Sequence, residues 1–251
     1  MLLTGILASA AACQGATGQP TLPLDGGTSG PEATLPEVGE SLEPVATEPD
    51  STSIPGFDGW STINAGSVEV GETQSGFGMV LLKRATWSGA GRGVLFYTTI
   101  DGDFRISATV RATRTSDSSQ TPGGDGTTQL AGLMARLQGS QENYVLIAVG
   151  SDASGLSLAT ASTTDDQTRL TGPAWPSGEA ELKLCRSGST FTLWKRAADS
   201  GDDWISAGTF ERKGLSGTLQ VGASLSSDSP PDLTARFDDL TLEPLEAGEA
   251  C

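Results

Sequence analysis

The sequence predicts an all-β domain, a two-sheet antiparallel sandwich of the jelly-roll kind, carried behind a disordered N-terminal tether. Three observations predict it. The hydrophobic pattern beyond Trp60 has a period of two. Turn residues interrupt it at short, regular intervals. No stretch shows an apolar helical repeat of ten residues or more.

The clearest strand is 104–113. Phe104, Ile106, Ala108, Val110 and Ala112 share one parity, and Arg105, Ser107, Thr109, Arg111 and Thr113 share the other. Alternation of this kind marks a strand with one face on a core and one face wet. Comparable segments precede it at 67–70, 79–82 and 94–98. Others follow at 129–137, 144–149, 156–161, 181–186, 190–195, 204–210, 218–225 and 234–242. Turn signals separate them: Asp101-Gly102, Ser187-Gly188, Ser200-Gly201-Asp202-Asp203 and Ser229-Pro230-Pro231-Asp232. The polar run 115–127 is a long loop, of a length that is often functional or disordered. Its Gly123-Gly124-Asp125-Gly126 opens no helix and lacks a following Lys, so it is not a phosphate loop. In the final strand Ala235 and Phe237 share a parity that Leu240 and Leu242 break. A bulge at Asp238-Asp239 returns all four to the core.

Residues 1–13 have a different character. Leu2 to Ala12 is apolar or small except for Thr4 and Ser9, and Cys13 follows three alanines. Eleven residues rise about 16 Å as a helix, against a hydrocarbon core of about 30 Å. The segment is signal-sized rather than membrane-spanning. It resembles a bacterial lipoprotein signal, which implies lipidation of Cys13 and a place in the cell envelope, periplasmic or surface-exposed. No Lys or Arg precedes Leu2, so the true start is expected upstream.

Residues 14–54 form the tether. Between Gln14 and Ser53 lie seven acidic residues, six of the thirteen prolines, no Lys or Arg and no aromatic residue. Such a segment buries too little apolar surface to offset its ordering entropy. Proline and like charges keep it extended. The folded domain is expected over 55–245, with a tail at 246–251.

Composition excludes several functions. The net charge of -16, without a basic patch, argues against nucleic-acid binding. An acidic domain is repelled by anionic head groups, so any membrane association runs through the N-terminal lipid. Histidine is absent, which removes His-based triads, His general bases and His-ligated metals. With Cys13 assigned to lipid, Cys185 and Cys251 remain. They form a disulfide in an oxidising compartment or stay as two thiols, and the disulfide is the expectation.

Several motifs in order carry a family resemblance. Asp58-Gly59-Trp60 opens the domain, and Gly102-Asp103 leads into the strand 104–110. Ala131-Gly132-Leu133-Met134-Ala135-Arg136 and Asn143-Tyr144-Val145 follow. Leu182-Lys183-Leu184-Cys185-Arg186-Ser187-Gly188 comes next, and Thr234-Ala235-Arg236-Phe237-Asp238-Asp239-Leu240 closes the series. Over 56–243 this resembles the concanavalin A-like jelly rolls. Within them it resembles the uncharacterised bacterial domains related to the C-terminal domain of family 43 β-xylosidases. The resemblance implies two antiparallel sheets and a concave face that binds or hydrolyses sugars, or serves as an accessory domain. The glucanases of that superfamily carry Glu-x-Asp-x-Glu on one strand, because glycoside hydrolysis needs paired carboxylates. Here Glu-x-Asp occurs only at Glu48-Pro49-Asp50, in the tether.

The expected function is therefore non-catalytic binding of a polysaccharide or a cell-envelope protein by a monomer. The alternatives are a hydrolase with carboxylates on separate strands and a purely structural module. The candidate ligand-binding residues are Arg136, Tyr144 and Trp175: a cross-strand polar-aromatic pair and a ring flanked by prolines. No cofactor is expected. A structural calcium, if the domain holds one, is expected at Asp238 and Asp239, since calcium takes six to eight oxygens.

Overall fold

The computed structural model describes residues 54–87, 92–123, 126–139, 141–246, 249 and 251. The lipoprotein signal with Cys13, and the tether up to Ser53, lie outside the described residues.

Among the described residues, fourteen strands build two antiparallel sheets. In chain order they are β1 (Ser61–Ile63), β2 (Val68–Glu72), β3 (Gly76–Leu81), β4 (Val94–Ile100), β5 (Phe104–Thr113), β6 (Gln129–Leu137) and β7 (Asn143–Asp152). Then come β8 (Gly155–Thr164), β9 (Gln167–Thr171), β10 (Glu179–Ser187), β11 (Thr190–Arg196), β12 (Ile205–Glu211), β13 (Leu219–Ser227) and β14 (Thr234–Pro244). Sheet A has the order β1-β4-β13-β6-β7-β8-β9, and sheet B the order β12-β11-β10-β5-β14-β3-β2.

The main core fills the space between the sheets. Sheet A contributes Leu133, Val145, Ile147 and Val221, and sheet B contributes Phe104, Ile106, Leu182, Leu184 and Phe237. At one end, Phe77 stacks on Phe237 with ring centroids 5.2 Å apart and meets Phe57 and Phe96 edge-on. Aromatic contacts of this kind add to the area they bury.

Sheet B follows the expected alternation. On β5 the residues from Phe104 to Ala112 are buried at every second position and half-buried between. Sheet A does not. Its strands β6, β7 and β13 are buried on both faces. On β7, Val145, Ile147 and Val149 join the main core, while Tyr144, Leu146 and Ala148 join a second cluster on the outer face. The half-buried reading of these segments is corrected accordingly. Apolar and small residues stand at both parities, and Trp87 packs over the outer face.

Two strands escaped the sequence pattern. β1 is three residues long. β9 is exposed throughout, so burial imposed no alternation on it. It forms a hairpin with β8 through Asp165 and Asp166, both left-handed (φ 49° and 66°), as a two-residue turn between twisted strands requires.

The β14 irregularity lies where the parity break put it. The register against β5 shifts between Asp238 and Thr241, and Asp239 has φ 53°. Leu240 and Leu242 thereby pack against the main core. Cys185 on β10 and Cys251 form a disulfide, which fixes Cys251 to the outer face of sheet B. The loop 115–123 is held by hydrogen bonds. Arg114 donates to the carbonyls of Thr121 and Gly123, and Ser116 donates to Asp232 through its backbone N–H and its hydroxyl.

Candidate functional site

Trp87 organises the outer face of sheet A. Its indole N–H donates to Ser224 Oγ on β13 at 2.7 Å. Its carbonyl accepts the Tyr144 hydroxyl at 3.0 Å, and the two rings lie 5.7 Å apart. Burial pushes the Tyr144 phenol up from its ordinary pKa, so it stays a neutral donor. Gly93 permits this closure: a Cβ there would lie 2.2 Å from the Trp87 indole nitrogen.

Beside Trp87 and Tyr144 lies a cavity. Its floor is Leu130, Leu146 and Ala161, Leu170 stands at its mouth, and Thr128, Thr168, Ser226 and Asp228 add polar groups. About 90 Å³ of it admits the centres of water molecules. One water needs roughly 10–15 Å³ on this measure, so the cavity holds several waters or a group the size of a sugar ring. Two threonine pairs tie β8 to β9 nearby, Thr160 to Thr171 and Thr163 to Thr168, each at 2.8 Å.

The three sequence-derived candidates occupy different situations. Arg136 and Tyr144 are cross-strand partners, so the structure brings them together. Both are buried, at 2% and 1% exposure. Arg136 forms a two-pronged ion pair with buried Glu142 (2.6 and 2.9 Å) and donates to Gln220 at 2.6 Å. That network removes Arg136 from the ligand-facing set, because its guanidinium is engaged by its own chain. Tyr144 lines the cavity. Trp175 lies elsewhere. Its backbone N–H bonds Leu156, at the end of β8 remote from the Tyr144 pairing with Thr163. Its ring packs on the main core, donates to the Glu179 carbonyl at 2.9 Å and lies under the Lys195 ammonium at 4.8 Å. Trp175 therefore covers the sandwich edge instead of standing free.

The acidic pair at the bulge is also engaged. Asp238 accepts Ser75 Oγ at 2.6 Å and Arg236 at 3.1 Å. Among the described residues, no three metal-ligating side chains of the His, Cys, Asp or Glu type gather. The calcium expectation at Asp238 and Asp239 thus meets a carboxylate already engaged by Arg236 and Ser75.

Trp87 and the cavity-lining Thr128, Thr168, Leu170 and Asp228 were not singled out by sequence. The Gly93 and Trp87 pair was the available signal: a bulky ring in the connection between β3 and β4, with glycine where the chain returns to β4.

The outer face of sheet B is built differently. Ion pairs Arg105–Glu243, Arg111–Glu179 and Arg196–Glu181 cross its strands. The Lys183 ammonium lies 5.4 Å from the Trp194 ring centre and 4.6 Å from that of Trp204. Burial and the nearby Arg105 and Arg196 lower its pKa.

These two sheets define a concanavalin A-like β-sandwich. No protein-family model matches the sequence, and no curated protein sequence does. Solved structures share the fold. A functionally unknown protein from Saccharomyces cerevisiae aligns over 76% of this chain and 99% of its own, with TM-score 0.62 and 11% identity. A xylan β-1,4-xylosidase from Bacillus halodurans aligns over 66% of this chain, with TM-score 0.54 and 15% identity. A GH43 protein from Bacillus licheniformis aligns over 67%, with TM-score 0.52 and 14% identity. The chain spans only about a third of each of these last two, 32% and 33%.

Proposed function

We propose that the chain is an extracytoplasmic lipoprotein whose sandwich binds glycan without cleaving it, through the outer face of sheet A. The observation that carries this reading is the cavity beside Trp87 and Tyr144. It combines aromatic and aliphatic walls with a few hydroxyls and one carboxylate at its edge, the composition of a small-ligand pocket. A sugar presents a C–H face for the apolar wall and hydroxyls for Thr128, Thr168 and Asp228. Bond chemistry has no part in this mechanism.

Retardation in gels containing soluble polysaccharide tests it. Ala161→Leu places a larger side chain in the cavity, and retardation is expected to fall sharply while folding persists. Unchanged retardation would contradict the cavity as the site. Release of reducing sugar by the purified protein would overturn the non-catalytic reading.

The anchor is a separate proposal, resting on residues 1–13 and the acidic tether. Metabolic labelling with a palmitate analogue is expected to mark the protein through Cys13. A Cys13→Ala form that behaves identically, with neither protein labelled, would end the lipoprotein reading.

A further inference from the structure

The outer face of sheet B carries a groove of about 300 Å³. Trp204 forms one wall, Ser107, Thr109 and Thr241 lie along the sheet, and Asp199 and Asp239 border it. Both of these acids are left-handed, φ 56° and 53°. Asp239 belongs to the β14 bulge, and Asp199 to the connection between β11 and β12.

Trp204 is fixed by its neighbours. Lys183 and Arg196 each lie 4.6 Å from its ring centre, and Arg196 is itself held by Glu181 at 2.8 Å. The ring is thus held in place before any ligand arrives, which lowers the ordering cost of stacking on it.

Charge narrows the ligand class. Arg105, Arg111, Arg196 and Arg236 pair with Glu243, Glu179, Glu181 and Asp238. The groove acids Asp199 and Asp239 add two charges, and Lys183 over the Trp204 ring adds one cation. Five cations against six carboxylates leave a net of minus one, in a chain of net charge -16. An anion is repelled by the chain as a whole, and a cation meets two cations already at the indole. The side chains of Asp199 and Asp239 accept no hydrogen bond from a described side chain. They are positioned to accept from hydroxyl donors, and Ser107, Thr109 and Thr241 both donate and accept.

We propose that this groove is a second carbohydrate site, taking a segment of an uncharged glycan on the face opposite the Trp87 cavity. The domain then holds two glycan segments at once. The proposal rests on the reading above for its ligand class alone; the residues are separate.

Asparagine tolerates the left-handed conformation, so Asp199→Asn with Asp239→Asn removes both charges without straining the turns. Electrophoresis of the full chain through gels containing arabinoxylan, xyloglucan or glucomannan compares four proteins. These are the wild type, the double Asn variant, Ala161→Leu and the combination. In the gel that retards the wild type, the double Asn variant is expected to weaken apparent affinity about tenfold. Ala161→Leu is expected to leave the groove contribution intact, and only the combination to migrate as in a blank gel. Full retention by Ala161→Leu, with loss in the double Asn variant, would refute the cavity and leave the groove standing. A double Asn variant indistinguishable from the wild type, or no retardation in any of the three gels, would overturn the groove.

Discussion

The outer faces of the two sheets are built on opposite principles. On sheet A the outer face is a second packed layer, with Leu95, Met134, Tyr144 and Leu146 buried and Trp87 drawn across them. On sheet B the outer face is wet and holds its strands together with ion pairs and cation–indole contacts. The contrast teaches where sequence change is tolerated. A covered face cannot lose a polar partner cheaply, because the group left behind has no water. An open face can.

The largest expected effect is therefore on sheet A. Glu142→Ala leaves the buried Arg136 cation without its carboxylate, and a loss of about 3–5 kcal/mol is expected in urea denaturation. A loss under one kcal/mol would mean that water reaches this face and would erase the distinction between the sheets.

Removing the disulfide comes next. Cys185→Ser with Cys251→Ser opens a closure spanning 66 residues, with an expected cost of about 2–4 kcal/mol, read as a lower melting temperature. Trp194, whose N–H donates to Cys251 Sγ at 3.1 Å, should change its fluorescence in the same variant.

Gly93→Ala sharpens the comparison on sheet A itself. The added methyl collides with Trp87, and overpacking of this sort costs about 1–3 kcal/mol. It should also disturb the Trp87 contact with Ser224, visible as a shifted indole N–H resonance. On sheet B, Glu181→Gln breaks a partly exposed ion pair with Arg196, and the expected loss is below about 1 kcal/mol.

The smallest effect is one of pH. Hydrogen bonds from Ser116 hold the Asp232 carboxyl below its ordinary pKa. A depressed carboxylate contributes stability above its unfolded pKa and loses it as pH falls through the folded value. Amide protection factors of residues 114–121 should therefore fall on acidification below the usual carboxylate range, and Asp232→Asn should weaken that dependence.

Much of the fold was legible because it rests on alternation and turn chemistry. The β5 strand and the bulge at Asp238-Asp239 were both written in parity. The outer layer of sheet A was harder to read. In β6 and β7 small and apolar residues fill both parities, and such strands can be told from one-sided ones only when the covering segment is known. Trp87 is that cover, and its role depends on a close approach at Gly93, which the sequence marks only by a glycine just before β4. Arg136 and Tyr144 were correctly placed side by side. Their burial was not legible, because it comes from Trp87 and Glu142, which reach them from outside the pattern. The groove on sheet B stayed hidden for a similar reason. Trp204 and Asp199 come from the connection between β11 and β12 and Asp239 from the bulge inside β14, and these meet only in the folded chain.

The most direct test of the sheet A site is a two-dimensional ¹H–¹⁵N titration of the protein with a neutral oligosaccharide from the glycan that retards it. The account predicts that the Trp87 indole resonance and the amides of Leu130, Leu146, Thr168 and Asp228 shift together and saturate. Saturating shifts that leave all of these unmoved would contradict it.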